Sequence, residues 1–279
     1  MKYLRSTLGA ILLASCASTH AASPIPSDSH QLIVVTASAW DSMTGTMRRY
    51  ERNADNGPWV PVNEVSAFDI DGNEIPASIT EPIVVGRNGL GWGLGLHSDL
   101  EFLPEPGEPI KQEGDGKAPA GVFSLGTAFG ITPILPSLPL NLSYPYVQAT
   151  DTLRCVDDMN SPYYNELVDT RELNLAEGEA LPWPSDEGIL RTDGLYSVGI
   201  VVNHNVSPAV MGMGSCIFMH IWRGADRGTA GCTAMAVPTI IATTAWLRAA
   251  AKPTLVQLPQ AQYDVLKTAW ELPWEPRDI

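Results

Sequence analysis

The sequence predicts a mainly β fold with two short α-helices, a β-rich α+β domain carrying one long proline-rich insertion. Three observations carry this. The apolar runs are short, and several alternate with period two, as half-buried strands do. Glycine and proline are frequent, at 24 and 23 residues, and they punctuate those runs. Only two segments, both near the C-terminus, carry a helical pattern.

The elements follow in order. QLIVVTASAW (31–40) and TGTMRRYER (44–52) read as two strands around a turn at Asp41–Met43. GPWVPVNEVSAF (57–68), EPIVVGRNG (81–89) and AGVFSLG (120–126) read as further strands. In LYSVGIVVNHN (195–205), Tyr196, Val198, Ile200 and Val202 share one face, and Ser197, Gly199, Val201 and Asn203 the other. SCIFMHIW (215–222) puts Cys216, Phe218, His220 and Trp222 on one face and turns Ile217, Met219 and Ile221 toward the core. Pro238 opens a helix that TIIATTAWLRAAA continues, because proline lacks only an N–H that the first turn leaves unused. PTLVQL (253–258) is a strand, and QAQYDVLKTAW (260–270) the second helix. Between about 127 and 194 the pattern lapses. ITPILPSLPLNLSYPY has a proline every few residues and cannot form one regular element, so it wraps the surface or walls a cleft. One domain over 23–279, with its core at about 80–260, accommodates all of this.

The first 22 residues read as a secretory signal. Lys2 and Arg5 form a positive n-region, Leu8 to Ala14 a short apolar core, and Thr19-x-Ala21 or His20-x-Ala22 a cleavage site. LASC (13–16) also resembles a lipobox, which would make Cys16 a lipid anchor to the outer membrane. Both readings place the mature protein outside the cytoplasm, in the periplasm or cell envelope. Removing Lys2 and Arg5 takes the formal charge from -14 to -16. Such a surface repels phosphate backbones, which excludes nucleic acid as a partner class.

Four cysteines are present, Cys16, Cys155, Cys216 and Cys232. Cys16 leaves with the signal or carries lipid. The remaining three, in an oxidising compartment, cannot all pair within one chain. Pairing Cys155 with Cys216 leaves Cys232 free. The alternative is that all three are reduced and packed as small hydrophobes.

The candidate chemistries are unequal. In GRNGLGWGLGLH (86–97) the glycines alternate and miss the G-x-G-x-x-G spacing, so the run reads as a strand or tight loop with close backbone neighbours. His20, His30, His97, His204 and His220 form no H-E-x-x-H and no compact ligand set with cysteine, so neither metal nor cofactor is implied. GMGSC (212–216) lacks the G-x-S-x-G spacing of a serine hydrolase. HIWRGADRGTAGCTAM (220–235) is different, since it holds His220 twelve residues before Cys232. A free thiol ionises near pH 8.5, so a cysteine nucleophile needs a neighbour that takes its proton. Histidine does so, and general-base help is worth on the order of 10² to 10⁴ in rate. The backbone N–H groups of Gly231 and Cys232 are candidate oxyanion donors, with Gly231 admitting close approach of a carbonyl.

Several stretches together resemble the L,D-transpeptidase catalytic domain of the YkuD type, in its ErfK/YbiS-like secreted branch. KQEGDGKAPAGVFSLG (111–126) resembles the run before that family's site. CVDDMNSPYYNELVD (155–169), GLYSVGIVVNHN (194–205) and GMGSCIFMHIW (212–222) resemble the segments leading to its histidine. TAGCTAM (229–235) resembles its nucleophile turn, and PTLVQLP (253–259) its closing strand. One departure is Ala230, where many members carry histidine.

The resemblance implies a β-sandwich fold, Cys232 as nucleophile, His220 as base, and Gly231 and Thr229 as parts of the nucleophile turn. Arg223 beside the loop is a candidate partner for a substrate carboxylate, with Thr229 a second candidate contact. The implied substrates are peptidoglycan stem peptides, joined 3→3 through a Cys232 thioester without metal or cofactor. A cell-wall peptide hydrolase or amidase of the same fold, and a non-catalytic envelope-binding module, are the alternative expectations.

Overall fold

Short runs of β-branched and aromatic residues pair into strands throughout a computed structural model that describes residues 23–62, 67–68, 74–75, 80–100, 104–131, 143–176 and 178–274. In chain order the strands are β1 (Gln31–Ala37), β2 (Thr44–Glu51), β3 (Val60–Pro61), β4 (Ala67–Phe68), β5 (Glu74–Ile75), β6 (Glu81–Val84), β7 (Leu90–Trp92) and β8 (Ala118–Gly130). There follow β9 (Tyr146–Gln148), β10 (Leu153–Val156), β11 (Leu167–Asp169), β12 (Asp186–Gly188), β13 (Val198–Val202), β14 (Phe218–Ile221), β15 (Thr233–Met235) and β16 (Thr254–Pro259). The helices are α1 (Val237–Trp246) and α2 (Gln260–Leu266). Both N-terminal readings, signal peptide and lipidated Cys16, lie outside the described residues.

The main sheet runs β1-β16-β8-β13-β14-β15-β6-β2, and β2 also pairs with β1. The sheet therefore closes on itself, and the two layers of the expected sandwich are opposite walls of one eight-stranded barrel. Closure leaves no open edge along that ring. The closed sheet encloses a core that includes Leu32, Ile33, Ile83, Val122, Phe123, Ile200 and Met219. Each such fully buried side chain contributes roughly 1.5–3 kcal/mol relative to an exposed one. Within the stretch expected as a strand at 57–68, β3 pairs in the main sheet and β4 pairs with β5, residues 63–66 lying outside the described residues, and β8 is longer than its apolar centre suggests. Within the alternating glycines β7 is a strand, and a Cβ on Gly95 would lie 2.3 Å from the Val122 carbonyl. Close backbone packing, as expected, accounts for that glycine.

Helix α1 begins at Val237 with proline in its first turn. Its residues Thr239 to Thr244 are all buried, so it lacks the polar face of a surface helix. The hydroxyls of Thr243 and Thr244 donate to the carbonyls of Thr239 and Ile240, which satisfies them inside the core. Most of the proline-rich run, residues 132–142, lies outside the described residues. The later part of the insertion forms a second sheet, β11-β10-β12, which the Cys155–Cys216 disulfide ties to the chain just ahead of β14. No helix among the described residues is long and apolar enough to cross a membrane.

Candidate active site

Strands β14 and β15 run parallel, with His220 opposite Ala234 and Met219 opposite Thr233. Residues 222–232 connect them and bring Cys232, just ahead of β15, beside the start of β14. The Phe218 N–H points at the sulfur, 3.3 Å away. The thiol itself faces the Cys216 carbonyl at 3.6 Å. Ile217 and Met219 enter the main core, while Cys216 and Phe218 join Cys232, Phe129 and Tyr196 in a second cluster, as the alternation along this strand anticipates.

Cys155 and Cys216 are joined in a disulfide, and Cys232 is the free cysteine among the described residues. Both Cys232 and His220 line one cleft of about 680 Å³. They lie at its floor, 7% and 6% exposed. The His220 Nδ1 lies 2.7 Å from the Ile221 carbonyl. A carbonyl oxygen only accepts, so this contact keeps the proton on Nδ1 and leaves Nε2 with its lone pair. His204 is a contrasting case. Its Nδ1 accepts from the Leu94 N–H and its Nε2 donates to the Met213 carbonyl, so both nitrogens are engaged and it serves the core.

Burial sets the resting charges. It lowers the His220 imidazole to about 4 and raises the Cys232 thiol to about 12, with the Glu187 carboxylate adding to the second effect. Both groups are neutral near pH 7. The resting pair is therefore a thiol and a base, and not a preformed ion pair.

A stability consequence follows from His220 and His204, each lowered to about 4 by burial. An unfolded imidazole near 6.5 binds its proton first, so the stabilisation is complete above pH 6.5 and is lost as pH falls toward 4. Each contributes about 3 kcal/mol across that window. Urea midpoints measured between pH 7.5 and 4 are expected to fall, and His220→Gln is expected to remove about half of the histidine share. An acid slope unchanged by that substitution would contradict a buried neutral imidazole.

The nucleophile turn closes on itself. The Thr229 hydroxyl donates to the Cys232 carbonyl at 2.6 Å and accepts from the Gly231 N–H at 3.1 Å. Thr229, which also lines the cleft, shapes the turn, and the Gly231 N–H is engaged by its hydroxyl. Of the two proposed oxyanion donors, the Cys232 N–H is the one that remains. Gly231 instead fits against neighbouring backbone, where a Cβ would lie 3.1 Å from the Lys117 carbonyl.

The KQEGDGK run builds the wall beside the turn. The Lys111 ammonium donates to Asp115 and to the Gln112 carbonyl, at 2.7 and 2.6 Å. Glu113 accepts from the Tyr164 and Ser215 hydroxyls, which fixes the chain just ahead of Cys216. Arg223 sits on the rim, two-thirds exposed, 3.4 Å from Asp193. Among the described residues no group of three or more His, Cys, Asp or Glu is placed to hold a metal ion.

Sequence reasoning missed Tyr196 and Glu187. Tyr196 was expected to share the face of Val198, Ile200 and Val202. Those three enter the main core, whereas Tyr196 packs in the second cluster with its ring centroid 5.0 Å from that of His220. The alternation does not reach it because β13 starts only at Val198. Glu187, on β12 of the insertion, accepts the Tyr196 hydroxyl at 2.6 Å. Its place in a proline-rich stretch carries no signal for this role.

With this geometry in hand, comparison adds no relative: no family model matches the chain, and no curated protein and no solved structure is detectably similar to it.

Proposed function

We propose that the protein is an exported cysteine acyltransferase of the L,D-transpeptidase type, acting on peptidoglycan stem peptides. One observation carries the reading. A free thiol and an imidazole whose Nδ1 is held by a carbonyl, leaving Nε2 as acceptor, line the same cleft. The family resemblance of the surrounding motifs supplies the substrate class.

In the reaction, His220 Nε2 takes the thiol proton as the sulfur attacks the carbonyl joining diaminopimelate to D-alanine. The Phe218 N–H stabilises the developing thiolate, and the Cys232 N–H receives the carbonyl oxygen as it becomes anionic. The C–N bond then breaks. His220 returns the proton to the leaving nitrogen, D-alanine departs and a thioester remains. The amine of a second stem attacks that thioester and forms the 3→3 cross-link, with its proton passing to His220 and on to the sulfur. Arg223, at the rim beside Asp193, would pair with a substrate carboxylate. Water as acceptor would make the same site an L,D-carboxypeptidase. No step calls for a metal or cofactor.

The burial of Cys232 favours a second reading, a non-catalytic envelope-binding module in which the thiol is a packed side chain. Intact-mass measurement separates the two. Incubation with a carbapenem or a thiol probe is expected to add one adduct, lost in Cys232→Ala. A folded protein that takes none supports the binding module. Muropeptide digests with an amine acceptor are expected to contain 3→3 cross-links, and shortened stems alone would point to hydrolysis.

A further inference from the structure

We propose that Arg87 anchors a carboxylate of the ligand, from a fixed position on the lip of the nucleophile turn and with Arg227 beside it on the same cleft. The inference rests on the reading of the cleft as an acyl-transfer site, and gives its substrate a cationic contact besides Arg223.

The chain holds Arg87 from two sides. Its N–H donates to the Thr229 carbonyl at 2.8 Å, and the Thr229 N–H donates to the Val85 carbonyl at 2.9 Å. Residues 85–87 thus pair with the start of the turn that carries Cys232, and Gly86 bridges Thr229 in the same stretch. Gly228 allows the approach, since a Cβ there would lie 2.6 Å from the Arg87 Cα. On the other side, the Asn88 N–H donates to the Gly116 carbonyl at 3.0 Å, and the Asn88 amide to the Asp115 carbonyl at 2.7 Å. The Lys117 ammonium donates back to the Asn88 carbonyl at 2.8 Å. The Arg87 guanidinium lies along Gly116, where a Cβ would come within 3.0 Å of its Cζ. A side chain placed in this way loses little freedom when it binds.

Most other charged groups on the cleft wall already have partners. Lys111 is paired with Asp115, and Arg191 with Asp193 and Glu187. Arg223 shares Asp193. Glu113 and Glu187 accept from tyrosine hydroxyls, and Asp186 from the Trp183 indole. The Arg87 guanidinium has neither a hydrogen bond nor an ion pair among the described residues. Arg227 meets its chain neighbour Asp226 at 3.9 Å, and that carboxylate is 85% exposed. Both arginines line the cleft whose floor holds Cys232 and His220. In a chain of net charge -14 this lip is a local reversal of the field. The Asp157 Oδ1, unpartnered among the described residues on the same wall, repels an anion and so favours the lip. A guanidinium fork suits a carboxylate through two parallel hydrogen bonds. A stem peptide of the proposed kind offers two, the terminal carboxylate of D-alanine and the side-chain carboxylate of diaminopimelate.

Two measurements test the anchor, on variants checked for folding by their thermal melts. The first needs no peptide. Cys232 is alkylated with anionic iodoacetate and with neutral iodoacetamide, and intact mass gives the ratio of the two rates, in which any change in thiol ionisation cancels. Arg87→Gln is expected to lower that ratio about fivefold and Arg227→Gln about twofold, Arg87→Lys to restore part of it, and about 0.5 M salt to remove most of the difference. Arg171→Gln, which removes an exposed arginine outside the cleft, is expected to leave the ratio unchanged. A ratio unmoved in Arg87→Gln, or lowered equally in Arg171→Gln, overturns the inference. The second is calorimetric binding of a stem tetrapeptide to Cys232→Ala, where no acylation occurs. Adding Arg87→Gln is expected to weaken binding about fivefold. Amidating the carboxylate that Arg87 reads should cost the same factor in Cys232→Ala and nothing further once Arg87 is replaced, which tells the D-alanine group from the diaminopimelate group. If neither amide behaves so, Arg87 is no anchor. Failure of the acyl-transfer reading looks different. A sulfur inert to both reagents rejects the nucleophile while tetrapeptide binding still tests Arg87, and a protein that binds no tetrapeptide rejects the substrate class while the alkylation ratio still tests Arg87.

Discussion

Replacing His220 with alanine is expected to slow acylation of Cys232 by about 10² to 10⁴-fold near pH 7, with the fold retained. The size of the effect comes from the resting charges. With the thiol raised to about 12, spontaneous ionisation leaves almost no thiolate at neutral pH. The imidazole must take the proton as the S–C bond forms, and its Nε2 is kept available by the Ile221 carbonyl on the other nitrogen. The variant's rate should then climb about tenfold per pH unit, since hydroxide has become the base. Single-turnover acylation with a carbapenem, read by intact mass across pH 6 to 9, measures both features. Equal rates for variant and parent would remove His220 from the mechanism. His220→Gln, which keeps more of the side-chain volume beside Tyr196, separates lost base from lost packing.

Removing the disulfide by joint replacement of Cys155 and Cys216 with alanine is expected to cost about 4 kcal/mol of stability on the chain-entropy account. The bridge closes a loop of 61 residues, which includes the insertion strands β10 to β12. Alanine retains the Cβ at position 216, where the backbone is left-handed with φ of 55°, so the substitution tests the crosslink and not a change of backbone preference. The insertion sheet then keeps its own pairings but loses its covalent tie to the chain ahead of β14. The chain at residue 216, whose carbonyl faces the thiol, should be held less firmly, and Cys232 should become more reactive toward alkylating reagents. Urea midpoints give the first effect and alkylation rates the second. A midpoint equal to that of the oxidised parent would show that sheet packing alone holds the insertion in place.

Much of the architecture was legible along the chain, for local reasons. The strands at 31–37, 44–51 and 254–259 follow from β-branched and aromatic runs bounded by turn residues, and α1 from a proline in its first turn. The two faces of β14 followed from its alternation, which is a property of four consecutive residues. Closure of the barrel was not legible, because it depends on β2 bonding to both β1 and β6, and pairing partners leave no mark on a single strand. Nor were the three short strands β10 to β12 later in the insertion, whose pairing with one another likewise leaves no mark on any one of them.

The candidate site divides along the same line. Chemical identity could be read directly: a cysteine and a histidine twelve residues apart, a small-residue turn, and an odd number of cysteines once Cys16 is set aside. Hydrogen-bond occupancy could not. The Gly231 N–H looked available until the Thr229 hydroxyl was found to accept from it. Tyr196 looked like a core residue until the late start of β13 turned it toward His220.

By itself, then, the sequence determined which side chains can do chemistry and which local segments are strands or helices, since both depend on residue type and short spacing. Only the tertiary structure decided their charge and orientation. The His220 proton sits on Nδ1 because the Ile221 carbonyl is there to accept it, and the Cys232 thiol stays neutral because burial and Glu187 oppose its ionisation. A protonation state is set by the dielectric and the charges within a few ångströms, and here the chain folds those neighbours in from another sheet.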